Sequence, residues 1–334
     1  MSRGIGEFEP IQELLPEWMA VVIALITQLG DAWFLGLLLL GMYWSRPRDQ
    51  DTLAFIGGTA LLGIAVVEIS KNIFSLPRPE QPLLDSELLP WIIRPFYELT
   101  AFAGGYGFPS GHAVNATIVY LGLALLLTGS RKRDRLVVAS LLVMVIGFSR
   151  IALGVHYVVD VIAGIGVGLL IIWVSTHLYR RVSGEHTSIV VGVTIIIGTV
   201  NLLIYGEGPL DIALVTISLG YLGGWQLLMM GGDLFSGRAP SQLLVRLLVR
   251  FIAVIFTIGS LFWVLESSDP LSFVAGAALA GLITALLVVI PVIRYSHRVR
   301  SMTQATSFWV RALAVGTLSF VQTTIKYILH RISQ

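Results

Sequence analysis

Gly104-Gly105-Tyr106-Gly107-Phe108-Pro109-Ser110-Gly111-His112, followed at once by an apolar run from Ala113, is the stretch on which the fold and chemistry of this chain turn. It predicts a helix start aimed at an anion. Pro109 suits the first helical position, where its missing N–H is no loss and its φ is already helical. The N–H groups of Ser110, Gly111 and His112 then point out of the helix end with the positive end of its dipole. Gly111 admits a ligand close to the backbone, and His112 places an acid or base beside it. The apolar run behind His112 requires that this helix be buried in protein or in lipid.

Composition decides between those solvents. The 334 residues are 55% hydrophobic and 13% charged, with mean hydropathy +0.83, which no water-soluble globule shows. The chain is expected to be all-α and polytopic. Without cysteine there is no disulfide framework, zinc-thiolate site or thiol catalysis. A net charge of +2 gives no reason to expect nucleic acid as a partner. Glu7, Glu9, Glu13 and Glu17 precede the first apolar run, unlike a cleavable signal, so that run is expected to stay in the mature protein.

Outward from the quoted stretch, apolar runs of about 20 residues mark the spans. Trp18 to Trp44 is interrupted by Gln28, Gly30 and Asp31, so a short lead-in and a spanning helix from about Asp31 are expected. Thr52 to Phe74 is the second span and carries Glu68 and Lys71 on one face. Residues 75–108 form a long, proline-rich connection of the kind that covers a binding site. Ser110 to Thr128, Leu136 to about Leu153 and His156 to Leu178 follow as spans. Further spans are expected near 188–205, 210–230, 245–265 and 270–293, making about nine or ten helices in all. The segment near 305–330 reads as an interfacial amphipathic helix or a tenth span. The expected organisation is 1–183 as one core, 184–300 as additional transmembrane helices and 301–334 as that last helix.

Fourteen Lys and Arg collect in the loops of one side, from Arg46 and Arg48 through Arg131–Arg135, Arg180 and Arg181 to Arg294, Arg298 and Arg300. That side is expected to be cytoplasmic. The opposite side has Arg3, Lys71, Arg78, Arg94 and Arg150, and three of these fall in the motifs. Arg246 and Arg250 read as a cytoplasmic helix edge, and Asp31 and Glu68 as structural pairing partners, with Glu68 available to orient Lys71.

Three stretches reach the outer face: Lys71 with six residues before Arg78-Pro79, then Pro109-Ser110-Gly111-His112, then Ser149-Arg150 with five residues before His156 and three more before Asp160. Phosphoryl transfer asks a site to position the group and neutralise its oxygens, which suits Lys71, Arg78 and Arg150. His156 and Asp160 stand at i and i+4, so a shared helix would let the carboxylate orient the imidazole. His156 is therefore the candidate nucleophile, and His112 the candidate acid for the departing oxygen.

Together these three motifs resemble the type 2 phosphatidic acid phosphatase superfamily, at every signature position, over roughly residues 18–180. The resemblance implies an integral-membrane phosphatase with a six-helix core, no metal and no cofactor. It implies that His156 forms a phosphohistidine with the help of Asp160, that His112 is the general acid, and that Lys71, Arg78, Ser110, Gly111 and Arg150 bind phosphate. The expected partner is a lipid phosphate or polyprenyl diphosphate in the bilayer, with the site on the extracytoplasmic side of a prokaryotic cell membrane. The same intermediate could pass its phosphate to an alcohol, and a transporter or scaffold could reuse such a core.

Overall fold

Long apolar runs become helices here because a hydrocarbon solvent leaves the backbone no other partner for its polar groups. The computed structural model describes residues 4–16, 18–79, 82–101, 104–129, 131–182, 184–206, 208–234, 240–269 and 272–295. Among them are α1 (Phe8–Glu13), α2 (Met19–Gln28), α3 (Ala32–Ser45), α4 (Gln50–Phe74), a 3-10 turn (Ser86–Leu88), α5 (Arg94–Ala101) and α6 (Gly111–Leu126). There follow α7 (Lys132–Ala152), α8 (Val158–Arg181), α9 (His186–Tyr205), α10 (Pro209–Leu234), α11 (Pro240–Ser267) and α12 (Phe273–Tyr295). Six helices, α4 and α7 to α11, are long and apolar enough to cross a membrane. The protein is all-helical and integral to the membrane. The segment near 305–330, like Arg238, Arg298 and Arg300, lies outside the described residues.

The first apolar run is broken where Gln28, Gly30 and Asp31 interrupt it: α2 and α3 meet at a 49° bend. Asp31 is the N-cap of α3, in extended conformation. A side chain at position 30 would put its Cβ 2.5 Å from Ile146 Cγ2, so only glycine lets the bend sit against α7.

At the centre stands α6, buried on every side, against α4, α7 and α8. Its 16 residues rise only about 24 Å, short of a full crossing. Close approach to α8 depends on small residues, as between membrane helices generally. A Cβ at Gly164 would come within 2.7 Å of the Ser110 carbonyl oxygen, and one at Gly168 within 2.9 Å of the Val114 carbonyl oxygen. That contact fixes where α6 begins relative to α8.

Over the α6 N-terminal end of this core lies a cap built from α2 and described residues of the 75–108 connection. Ala20, Ile23 and Ala24 pack with Leu84, Tyr97, Ala152, Leu153 and Val155. The Tyr97 hydroxyl accepts from Leu84 N–H at 3.1 Å, and Gln28 Nε2 donates to Thr100 Oγ1 at 3.1 Å. The long connection is thus a packed layer with its own core.

The C-terminal helices form a bundle centred on α10, which lies against α9, α11 and α12. The α10–α12 crossing is made by glycine: a Cβ at Gly220 would overlap the Gly281 carbonyl. The bundle joins the core by hydrogen bonds from Tyr43 Oη to the Val288 carbonyl (3.0 Å), Trp44 Nε1 to the Leu287 carbonyl (3.2 Å) and Tyr221 Oη to the Ala54 carbonyl (2.8 Å).

Arg250 corrects its sequence-based reading. It is buried, not an exposed edge: Nε donates to Asp233 Oδ2 at 2.7 Å, Nη1 to Gln226 Oε1 at 2.7 Å and Nη2 to Glu185 Oε1 at 2.5 Å. A buried guanidinium needs its donors matched, and two elements of the bundle supply the acceptors: α10, with Gln226 and Asp233, and the start of α9, with Glu185.

Candidate active site

The quoted stretch folds somewhat differently from the expectation. Helix α6 starts at Gly111, with Ser110 as an extended N-cap residue. Pro109 therefore stands two positions before the helix instead of at its first position, and the Phe108–Pro109 bond is cis. The Ser110 side chain makes no capping bond to this helix. Ser110 N–H is not free for a ligand either, since it donates to the Asp160 carbonyl at 3.0 Å. Gly111 and His112 supply the first helical N–H groups instead. The Ser110 hydroxyl is buried at this helix start with no hydrogen-bond partner among the described residues.

His156 and Asp160 meet, but not on one helix. Gly154, at φ +69°, turns the chain after α7, and the Arg150 carbonyl accepts from both Val155 N–H (3.2 Å) and His156 N–H (3.3 Å). Helix α8 begins only at Val158, so His156 precedes it and Asp160 sits in its first turn. Asp160 Oδ2 accepts from Tyr157 N–H at 3.0 Å and lies 3.6 Å from His156 Nδ1. Both side chains are buried, at 1% and 0% exposure. One carboxylate thus closes the helix start and faces the imidazole. Glu7 reaches the same start from the N-terminal segment, its Oε1 accepting from Val158 N–H at 3.2 Å.

On its other nitrogen His156 meets Arg78. Arg78 Nη1 lies 2.8 Å from His156 Nε2 and also donates to the Val155 carbonyl at 3.1 Å, while Nε donates to the Gly104 carbonyl at 3.1 Å. A guanidinium can only donate, so Nε2 is the acceptor and the proton of a neutral ring sits on Nδ1, facing Asp160. Burial above all holds the imidazole well below the usual histidine range; the charges of Arg78, Arg150, His112 and Lys71 push it the same way. Arg78 is itself lowered by burial, opposed by Asp160 and Glu68. It remains charged, because an arginine starts so far above neutrality.

The other predicted residues surround this pair. Buried Arg150 donates from Nη1 to Thr27 Oγ1 at 3.0 Å. Lys71 Nζ is 2.7 Å from Glu68 Oε1, the pairing expected from their spacing. Helix α4 ends directly after, on Ser75 in the left-handed conformation, and Gly107 N–H donates to the Leu76 carbonyl at 2.8 Å. That link holds the Arg78 segment against the 104–108 loop. His112 Nε2 lies 3.7 Å from Asp31 Oδ2. Among the described residues no three His, Asp or Glu side chains are grouped as a metal site would require.

Thr27, Asp31 and Glu7 are the residues at this site that the motifs did not reveal. The one signal was the polar interruption of the first span, which marked Asp31 as a pairing residue without naming its partner.

A model of the PAP2 superfamily matches residues 52–184, ending before α9 begins at His186. Phosphatidylglycerophosphatase B of Bacillus subtilis (strain 168) is 30% identical over 166 residues, which are 46% of this chain and 72% of the relative. Lipid A 4'-phosphatase of Porphyromonas gingivalis is 31% identical over 151 residues, 42% of this chain and 58% of the relative. The solved transmembrane PAP2-type phosphatidylglycerolphosphate phosphatase from Bacillus subtilis aligns at 26% identity with TM-score 0.41, over 53% of this chain and 86% of that one.

Proposed function

This chain belongs to the PAP2 superfamily, and we propose that it dephosphorylates a lipid phosphate or polyprenyl diphosphate at the outer membrane face, without a metal ion, through a phosphohistidine on His156. The observation that carries this reading is the Arg78–His156–Asp160 chain, with Nε2 accepting from a guanidinium at 2.8 Å and Nδ1 3.6 Å from a carboxylate.

In the first step the Nε2 lone pair attacks phosphorus and the bond to the lipid oxygen breaks. His112 gives its proton to that oxygen, and the lipid alcohol or phosphate leaves. Asp160 steadies the ring as it gains positive charge. In the second step water attacks the phosphohistidine, His112 takes back a proton, and inorganic phosphate departs with Nε2 restored. Arg78, Arg150 and Lys71, with the N–H groups of Gly111 and His112 at the start of α6, neutralise the phosphoryl oxygens. Arg78 Nη1 donates to the attacking lone pair before substrate arrives, so the guanidinium must shift toward the phosphate oxygens for attack to occur. The buried Ser110 hydroxyl is a further donor for the same group.

The orientation rests on the excess of Lys and Arg on the opposite side, which stands with buried Arg250 left out, and on the placement of the motifs at the sparse side. The chain divides on this reading into a phosphatase core over 1–183 and additional helices over 184–300. The two relatives act, by name, on phosphatidylglycerophosphate and on lipid A, and a phosphatidylglycerophosphate lipid is accordingly one of the candidate substrates.

Phosphate release from a panel of lipid phosphates by purified wild type and His156→Ala tests the proposal. Release by the wild type in the presence of a chelator, and its loss in the variant, is expected. Turnover retained by His156→Ala, or strict dependence on added divalent metal, overturns it.

A further inference from the structure

Between the core and the C-terminal bundle runs an apolar cavity of about 510 Å³, in the range of about 300–1,000 Å³ typical of small-molecule sites. Its upper end is lined by Ala32, Trp33 and Asn115. Ala32 and Trp33 directly follow Asp31, whose carboxylate lies 3.7 Å from His112 Nε2. Asn115 is one turn below His112 on α6. The cavity therefore begins on the His112 side of the site, where the proposed chemistry releases the lipid oxygen.

From there it descends along α3 to Tyr43, a helical rise of about 16 Å. Leu40, Ala60 and Leu61 of the core line one side; Tyr221 of α10 and Leu287 and Val288 of α12 line the other. The polar groups at depth are already used: Tyr43 and Tyr221 hydroxyls donate to the Val288 and Ala54 carbonyls, and Thr284 Oγ1 to the Ala280 carbonyl. Nothing there would hold a polar ligand. Trp33 and Leu37, 54% and 60% exposed, form a rim open to the bilayer.

We infer that this cavity holds the hydrocarbon tail of the substrate lipid, so that α10 and α12 act as one wall of a tail-specificity site. The inference rests on the phosphatase reading and assigns the C-terminal helices a role in it. A tail entering from the bilayer leaves one apolar medium for another, so its selection comes from packing against fixed walls rather than from escape from water. The cavity thus discriminates tails by length and shape.

The test uses the full-length protein in liposomes or mixed micelles with three substrates: dioleoyl phosphatidic acid, dihexanoyl phosphatidic acid and para-nitrophenyl phosphate. Ala60→Phe fills the cavity at mid-depth, well away from the reacting groups. It is expected to lower kcat/KM for the dioleoyl substrate by about tenfold or more and to leave the other two within about twofold. Equal losses on all three, or no loss on any, overturn the inference. Independently of turnover, a phosphatidic acid carrying a diazirine at its tail end should label α10 and α12 around Tyr221 and Leu287. Unlabelled phosphatidic acid should compete and an equal excess of phosphatidylcholine should not. Labelling elsewhere, or equal competition by phosphatidylcholine, means that bulk lipid fills the cavity and the tail site is wrong. Failure of the phosphatase reading shows separately, as no phosphate release from any substrate by the wild type.

Discussion

Arg78 Nη1 lies 2.8 Å from His156 Nε2, so the residue that would bind phosphate is in contact with the atom that would attack it. The guanidinium fork bridges Gly104, Val155 and His156 in three directions, which an ammonium on a flexible stem cannot do. Arg78→Lys keeps the charge and loses this geometry. We expect kcat/KM for phosphate release to fall by about 10- to 100-fold, the value of one or two charge-assisted hydrogen bonds. Wild-type kinetics in the lysine variant would remove Arg78 from the site.

The same contact sets a pH dependence. On the proposed mechanism attack needs the neutral imidazole, and burial, with the surrounding cations, holds His156 well below the usual histidine value. The acidic limb of kcat/KM should therefore fall below pH about 6.5. Arg78→Gln removes one of the charges that lower His156, so its residual activity should lose its acidic limb at higher pH than the wild type. A limb that stays put or moves to lower pH contradicts this electrostatic account.

Hydropathy located the spans because a bilayer demands length and apolarity, and α4 and α7 to α11 begin and end close to where the runs do. Spacing also pointed to the meeting of Lys71 with Glu68 and of His156 with Asp160. It misjudged how the latter is made, because Gly154 and the Arg150 carbonyl reverse the chain before α8 starts. Arg250 was illegible for a related reason. Its acceptors Asp233 and Glu185 lie 17 and 65 residues away, and only tertiary packing decides that the helix turns this arginine inward. Asp31 and Thr27 were likewise brought to His112 and Arg150 by a bend whose existence, but not its direction, could be read from a polar interruption.

Asp160 separates a structural role from a chemical one. Its Oδ2 accepts from Tyr157 N–H at the start of α8 and also faces His156 Nδ1. Asp160→Asn keeps an oxygen for the helix start but loses the charge that steadies the ring. Thermal stability should change little, whereas kcat should fall on the order of 10²- to 10⁴-fold with KM nearly constant. A large drop in Tm with unchanged kcat would assign Asp160 to capping alone.

Arg250 is expected to act on stability and not on chemistry. Arg250 and Asp233 are each 5% exposed, whereas Glu185 is 40% exposed and adds less. Arg250→Ala takes a charge-assisted donor from buried Asp233 and a donor from Gln226, at a cost of about 1.5–3 kcal/mol for the charged bond. A lowered Tm in detergent, with near-normal turnover in the fraction that remains folded, is the expected pattern.

Gly164 tests how tightly the site depends on helix packing. A Cβ there would stand 2.7 Å from the Ser110 carbonyl and 2.9 Å from Ala113 Cβ, and neither belongs to a side chain that can swing aside. Gly164→Ala must therefore push the start of α6 from α8, carrying Ser110, Gly111 and His112 away from Asp160 and His156. Overpacking of this kind costs about 1–3 kcal/mol, and displacement of a catalytic group by a fraction of an ångström lowers kcat as well. Gly166, two residues on, provides the control: a Cβ there meets nothing within 4 Å. Gly166→Ala removes a flexible residue from a helix interior, which favours the helix by about 0.5–1 kcal/mol. Gly164→Ala should thus lose both Tm and kcat while Gly166→Ala keeps kcat and holds or gains Tm. Equal behaviour of the two variants would mean that the α6–α8 contact does not position the site.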